Sequence, residues 1–202
     1  MFRLLIVSLT CMLATAPAWS DNARSQLDAF ADGLDTLSGT FEQITIDETG
    51  RIVEEAEGTL YFKRPDLFRW DYESPFPQQM VADGEKLWHF DESLDQVTVR
   101  DQPDAAESPL LVLTQPELLD RFYRIETSGD EQVLKFLPLS EEADFEMARM
   151  HFRNGVPEQL ELHDHFGQIT RIVLGELTRN PDIDPSVFSF EPPPGVDVLE
   201  GY

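Results

Sequence analysis

Two histidines, His163 and His165, are separated by one residue, and on a β-strand this spacing would point both imidazoles to one side. Imidazole nitrogens are common zinc ligands, so this pair is the best metal-site candidate in the sequence. No third ligand lies nearby, however, and residues 164–167 have the composition of a turn. We therefore expect no metal site and no cofactor.

The sequence also lacks convincing candidates for a catalytic nucleophile or for an acid–base pair. No serine stands in a nucleophile-elbow pattern, and the single cysteine, Cys11, lies near the N-terminus. The 39 Asp and Glu residues are too numerous for any one catalytic pair to stand out. The sequence therefore predicts a protein that is not an enzyme.

The first twenty residues predict an export signal. Arg3 precedes an apolar run over 4–14, and small residues follow it, so cleavage fits after Ala18 or Ser20. The run is about a dozen residues long, whereas a membrane-spanning helix needs roughly 20, which argues against a permanent anchor. Cys11 is preceded by a bulky threonine, unlike a bacterial lipidation site. We expect a signal peptide over 1–20.

The remaining residues, 21–202, are expected to form one domain. Their number and the 41% hydrophobic content suit one packed core better than two. The formal charge of −24 argues against nucleic acid and anionic membranes as partners, although it would also simply keep an exported protein in solution. We expect a monomer.

The elements that follow begin with an amphipathic helix over 25–37. Its apolar residues recur at spacings of three and four: Leu27, Phe30, Leu34 and Leu37. Gly33 and Gly39 leave its end open, although Gly39 suits a helix terminus that is followed by a strand.

Segments of β-branched and aromatic residues, separated by turn residues, predict about eleven strands in antiparallel hairpins. They are 40–46, 58–63, 67–72, 78–82, 86–90, 96–99, 122–127, 132–137, 145–152, 159–163 and 168–177. After the sixth strand, Ser108-Pro109 and Gln115-Pro116 could each open a short helix, which makes three helices in all. The proline-rich tail over 188–198 is expected to be extended.

Large apolar side chains alternate along the strands between residues 58 and 90. Alternate residues of a strand share a face, so we expect one side of the sheet to carry Leu60, Phe62, Phe68, Trp70, Tyr72, Met80, Trp88 and Phe90. An ordinary β-sandwich core would explain these residues too. A long antiparallel sheet must curl, however, and short helices cannot fill all of its apolar face, which favours a hollow.

The same alternation points Arg64 inward at the rim of this apolar face. A buried arginine needs acceptors, and the carbonyls at the C-terminus of a covering helix could supply them. Because Pro65 follows directly, the strand could also end before Arg64 and leave the side chain in solvent.

Six motifs occur along the chain: Phe41-x-Gln43, Gly58-x-Leu60, Lys63-Arg64-Pro65-x-Leu67-Phe68-x-Trp70, Asp83-Gly84-x-x-Leu87-Trp88, Pro109-Leu110-x-x-Leu113, and Phe188-x-Phe190-x-Pro192-Pro193-x-Gly195-Val196. Together they resemble the LolA family of periplasmic lipoprotein carriers. The resemblance covers nearly all of the chain after the signal peptide. The Arg-Pro-x-x-Phe-x-Trp run with Asp-Gly-x-x-Leu-Trp downstream is its most specific part.

The resemblance implies an α+β fold, an incomplete antiparallel β-barrel of about eleven strands with a lid of three short helices over a hydrophobic cavity for acyl chains. The family's lid-holding arginine corresponds to Arg64, and its cavity aromatics correspond to Phe68, Trp70 and Trp88. The lid is expected to contribute Leu27, Phe30, Leu34, Leu110, Leu111 and Leu113. Two departures concern the lid and the cargo preference: Arg69 stands between two aromatics, and the mid-chain lid has its own sequence.

The implied function is to bind acyl chains of lipoproteins released from the inner membrane and to deliver them to the outer membrane. The implied partners are the inner-membrane LolCDE transporter and the outer-membrane acceptor LolB, and the implied location is the periplasm. A related half-barrel that binds lipids or glycolipids, or an outer-membrane acceptor, is the alternative that we keep open.

Overall fold

A computed structural model of the chain describes residues 22–102, 118–127, 129–141, 143 and 145–201. Twelve strands form one sheet in the order β12-β6-β5-β4-β3-β2-β1-β11-β10-β9-β8-β7. The strands are β1 Thr36–Ile46, β2 Ile52–Lys63, β3 Leu67–Ser74, β4 Gln78–Ala82, β5 Lys86–Asp91, β6 Gln96–Asp101, β7 Tyr123–Thr127, β8 Val133–Pro138, β9 Met147–Arg153, β10 Val156–His163, β11 Ile169–Arg179 and β12 Asp197–Glu200.

The sheet is open, because its two edge strands, β7 and β12, do not pair with each other. Strands β1 to β11 pair antiparallel with their neighbours, which confirms the eleven predicted strands and the incomplete barrel. The sequence did not predict the twelfth strand. It pairs parallel with β6, with Asp197 opposite Gln96, so the end of the tail joins the sheet.

The first helix, α1 (Ala23–Ala31), is shorter than predicted. Its N-terminus is capped by Asn22, whose Oδ1 accepts a hydrogen bond from the backbone N–H of Ser25 at 3.0 Å. Gly33 lies just beyond its end with φ +63°, a conformation that glycine adopts at little cost. The prediction of a helix as far as Leu37 was therefore wrong, because Leu37 belongs to β1.

The described residues contain two further short helices. Helix α2 (Leu119–Phe122) takes the residue that was predicted to start the seventh strand, and a 3-10 helix (Pro185–Phe188) precedes the tail. The predicted signal peptide and the predicted helices at Ser108-Pro109 and Gln115-Pro116, including Leu110, Leu111 and Leu113, lie outside the described residues. Within the described part, no helix has the length and apolarity needed to cross a membrane.

Helix α1 packs across β8, β9 and β10 on one face of the sheet. The core at this contact is fully buried and contains Leu27, Phe30, Leu34, Leu134, Phe136, Met150 and Leu160. Each such side chain contributes about 1.5–3 kcal/mol when it is fully buried, so this contact anchors the helix. We call the face that α1 covers the inner face of the sheet.

Candidate functional site: an aromatic wall on the inner face

Strand register brings six of the eight predicted wall residues to the inner face. Leu60 lies opposite Trp70, and Trp70 lies opposite Met80, so these three side chains share one side of adjacent strands. Alternation adds the other members. We name the set Leu60, Phe62, Phe68, Trp70, Tyr72 and Met80 the inner wall.

Burial divides the inner wall into two parts. Leu60, Phe62 and Trp70 are buried in the same core cluster as α1. Phe68, Tyr72 and Met80 pack against that cluster but stay only half-buried. Because α1 packs over β8 to β10, the strands that carry these three residues lie beside the helix rather than beneath it. The half-buried part is therefore an apolar surface that a ligand could cover.

Phe41, which the sequence indicated only as part of the Phe41-x-Gln43 motif, packs against the inner wall. Its ring centroid lies 4.3 Å from that of Trp70 and 5.1 Å from that of Tyr72. Gly58 makes this packing possible, since a Cβ there would lie 2.9 Å from Phe41 Cε1 and would collide with the carbonyl group of Asp71. A glycine inside a predicted strand indicates that another group approaches the backbone closely, so Gly58 is the sequence signal for this contact.

Trp88 and Phe90 do not belong to the inner wall, and their predicted placement was wrong. In the β4–β5 pair Met80 lies opposite His89, and Val81 lies opposite Trp88. Trp88 and Phe90 therefore point to the outer face. There they contact Phe190 of the tail, with ring centroids 5.6 and 5.9 Å away, and Trp88 Nε1 donates to Asp83 Oδ2 at 2.8 Å.

Polar side chains follow the inner wall toward one end of the strands. Tyr72 Oη donates to Gln43 Oε1 at 3.2 Å, and His89 Nε2 lies 2.9 Å from Gln78 Oε1. Burial raises the pKa of Tyr72, so its hydroxyl stays protonated at neutral pH. The inner face is thus apolar near α1 and carries paired hydrogen-bonding groups farther along.

Arg64 lies at the opposite end of the inner wall, in the turn that begins directly after β2 ends at Lys63. Its Nη2 donates to the carbonyl oxygen of Ala31 at 3.2 Å, and Ala31 is the last residue of α1. Its Nε is buried without a hydrogen-bond partner. The guanidinium therefore bonds the negative end of the helix dipole while part of its donor capacity stays unused.

Two residues that the sequence reasoning missed hold the same helix end. Arg179 Nη2 donates to the carbonyl oxygen of Asp32 at 2.5 Å, and Asn180 Nδ2 donates to that of Gly33 at 2.8 Å. The Arg179 guanidinium also lies 5.6 Å from the ring centroid of Phe30. The C-terminal end of α1 is therefore fixed to the sheet by several side chains. Among them, Arg64 is the residue directly after β2, which carries Leu60 and Phe62 of the inner wall.

The histidine pair does not form a joint site. His163 ends β10 and lies 3.9 Å from Glu161 Oε2, whereas His165 belongs to the following turn, where its Nε2 lies 2.9 Å from the carbonyl oxygen of Ala143. Burial and the neighbouring Arg149 lower the pKa of His163. Among the described residues, no three metal-binding side chains come together.

An open antiparallel sheet with an aromatic inner wall beside a covering helix defines an incomplete β-barrel suited to apolar ligands. The model of the family described as "Outer membrane lipoprotein carrier protein LolA" matches residues 32–191. The chain therefore belongs to the LolA family.

Full-length relatives agree with this assignment. The chain is 40% identical over 200 residues to the outer-membrane lipoprotein carrier protein of Halorhodospira halophila, covering 98% of this chain and 93% of the relative. It is also 40% identical over 200 residues to the protein of the same name from Alkalilimnicola ehrlichii, covering 96% and 92%. An uncharacterized conserved protein from Thermus thermophilus shares the fold, with a TM-score of 0.53, 13% identity, and coverage of 87% of this chain and 98% of that chain.

Proposed function

We propose that this chain is a carrier that binds the acyl chains of lipoproteins on its inner wall. Its relatives are named outer-membrane lipoprotein carrier proteins, which supports the cargo. The observation that carries the proposal is the half-buried part of the wall, Phe68, Tyr72 and Met80, which lies beside α1 rather than beneath it. A carrier of this kind is not an enzyme, because it moves its ligand without making or breaking a bond.

The cargo needs such a wall for an energetic reason. Moving an acyl chain out of a bilayer into water costs about 0.8 kcal/mol per CH₂ group, so several long chains would never leave the membrane unaided. An aromatic side chain offers roughly 150–250 Å² of surface, and several adjacent rings can replace much of the lost lipid contact. The inner wall supplies adjacent rings on neighbouring strands.

Release of the cargo requires that the empty form also be stable. We propose that α1 acts as a lid, and that the bond from Arg64 to the carbonyl of Ala31 favours the closed, empty form. A hydrogen bond from a charged group is worth about 1.5–3 kcal/mol, enough to bias an equilibrium between two lid positions. Acyl chains and the lid would then compete for the same apolar face.

The partners and the location extend the same proposal. A signal peptide over 1–20 would direct the chain to the periplasm, where the inner-membrane LolCDE transporter would load it and the outer-membrane acceptor LolB would empty it. The alternative of a glycolipid-binding half-barrel or an outer-membrane acceptor is not favoured, because the full-length relatives are named carriers.

Phe68 and Trp88 provide a matched test of the inner wall. Both are half-buried aromatic residues, but they lie on opposite faces of the sheet. We expect Phe68→Gln to retain less than about a tenth of the bound lipoprotein, because a buried amide without partners costs roughly 1–3 kcal/mol. Trp88→Gln should retain the wild-type amount. Mass spectrometry of the carrier recovered from the periplasm measures both.

Circular dichroism of each variant first confirms that the sheet is intact. Equal retention by the two variants would contradict binding at the inner wall. Recovery of free glycolipid instead of lipoprotein with the wild type would favour the alternative function.

A further inference from the structure

Four hairpin turns of the sheet project from the same end. They are residues 47–51, 75–77, 92–95 and 164–168, and we name them together the hairpin rim. In the strand order, the hairpins β5–β6, β3–β4, β1–β2 and β10–β11 follow one another directly. Neighbouring strands lie about 4.8 Å apart, so successive turns are about 10 Å apart. A Cβ on Gly167 would even contact Glu48 Cβ at 3.5 Å, which shows that two of the turns touch.

Every turn of the hairpin rim has a large apolar side chain in solvent within it or directly after it. Phe76, Leu94 and Phe166 are 63%, 68% and 84% exposed, and Ile52 and Val53 begin the strand that follows the turn at 47–51. Leu139, directly after β8, is exposed at the same end of the sheet. Single exposed apolar residues are ordinary, but a row of them on adjacent turns marks an interaction surface.

The opposite end of the sheet is different. Its described turns at 64–66, 83–85 and 154–155 contain no large apolar side chain, and Val156 at the start of β10 is the nearest exposed one. Since both ends are built from the same kind of tight hairpin, turn formation does not require the exposed rings. The asymmetry therefore needs a separate reason.

Carboxylates surround the apolar residues of the hairpin rim. They are Asp47, Glu48, Glu73, Asp91, Glu92, Asp95 and Asp164. The basic residues in the described turns of the rim are Arg51, whose Nη2 lies 2.8 Å from Asp47 Oδ2, and His165. Hydrogen bonds from the Thr49 hydroxyl and the Arg51 backbone lower the pKa of Asp47 to about 2, and the Ser93 hydroxyl lowers the pKa of Asp91. The rim is thus anionic at neutral pH and is repelled by anionic lipid.

We propose that the hairpin rim docks onto a partner protein whose surface has apolar depressions surrounded by lysine and arginine side chains. Aromatic anchors supply most of the binding energy in protein interfaces, and opposite charge around them speeds and orients the encounter. This surface is separate from the inner wall. It rests on the proposed function only in that a carrier must meet a protein that loads or empties it.

A pair of double variants tests the docking surface. Phe76→Ser with Phe166→Ser removes two rings from the rim, and Val156→Ser with Val173→Ser removes two exposed apolar side chains elsewhere. The binding of each labelled, full-length carrier is measured on native inner- and outer-membrane vesicles, on the same vesicles after protease treatment, and on pure phosphatidylethanolamine–phosphatidylglycerol vesicles.

We expect the rim variant to bind native vesicles of at least one kind about tenfold more weakly than the wild type, and the control to stay within about twofold. Protease treatment should abolish binding, and pure lipid vesicles should bind no wild type. Glu48→Gln with Glu73→Gln should weaken binding at low salt only. Unchanged binding of the rim variant, or equal binding of the wild type to pure lipid, would overturn the proposal.

Acyl-chain binding is measured separately with a fluorescent long-chain fatty acid, which distinguishes this proposal from the carrier function. If the wild type does not bind the probe, the carrier function fails while the docking result stands. If the rim variant binds the probe and docks normally, the docking surface fails while the carrier function stands.

Discussion

Two groups of aromatic side chains lie on opposite faces of one sheet. The inner group consists of Phe41, Trp70 and Tyr72, with ring centroids 4.3 to 6.5 Å apart. The outer group consists of Trp88, Phe90 and Phe190, in which Phe190 lies 5.6 and 5.9 Å from the other two rings. The same residue types and similar contacts occur in both, but the inner group lies beside the half-buried Phe68 and Met80 on the face that α1 covers in part.

The difference lies in what covers each group. The outer group is covered by the tail that follows the 3-10 helix, and Arg69 Nη1 donates to the carbonyl of Val187 in that helix at 3.4 Å. The inner group is covered in part by α1, whose end is held by a few side-chain bonds. Whether an aromatic cluster forms a closed core or an open wall therefore depends on the segments that cover it and not on its residue composition.

Removing one ring from each group should separate them most strongly. Phe41 is 1% exposed, so Phe41→Ala should lower the free energy of unfolding by about 3–5 kcal/mol. Phe190 is half-buried in the tail, so Phe190→Ala should cost about 1–2 kcal/mol. Urea unfolding followed by tryptophan fluorescence measures both. Equal losses would mean that the tail is as deep a part of the core as the inner group.

Loosening the cover of the inner group should change cargo release rather than folding. Arg64→Leu removes the bond to Ala31, so the closed form loses about 1.5–3 kcal/mol and transfer of lipoprotein to outer-membrane vesicles should slow roughly tenfold or more. Arg100→Leu, which changes an exposed arginine on β6, is the matched control. A transfer rate equal to that of the control would remove Arg64 from the release mechanism.

The smallest expected effect concerns pH and the outer group. Although partial burial opposes the shift, backbone N–H groups of Lys86 and Glu85 and the Trp88 indole lower the pKa of Asp83. Its contribution to stability is therefore present above the unfolded pKa and is lost as pH falls through the lower folded value. Asp83 is partly exposed, so screening keeps the effect to a fraction of a kcal/mol. Urea midpoints of wild type and Asp83→Asn between pH 7 and pH 2 should converge, and a constant difference would contradict this contribution.

Much of the sheet could be predicted because its period is local. Alternation grouped Phe68, Trp70 and Tyr72 correctly, since neighbours two apart in a strand share a face whatever the partner strand does. The face of Trp88 could not be predicted in the same way. It depends on the pairing across β3, β4 and β5, and a shift of one residue in either turn reverses every side chain that follows.

Helix ends and covers were predicted less well than strands. Helix α1 ends before Gly33, earlier than the apolar spacing suggested. Leu37 belongs to β1 and pairs with both β2 and β11, and these strand contacts outweigh the helical periodicity of the apolar residues. Arg179 and Asn180 follow no local pattern. They reach the residues just after α1 from the end of β11, with a sequence separation of 147 in each bonded pair.

The sequence by itself determined the class of fold and the apolar alternation of the inner wall, because these follow from local periodicity and from motifs shared with one family. Only the tertiary structure decided which aromatic residues face inward, what covers them and that the exposed apolar turns gather at one end. Those features depend on strand register and strand order, which are fixed by contacts between distant parts of the chain.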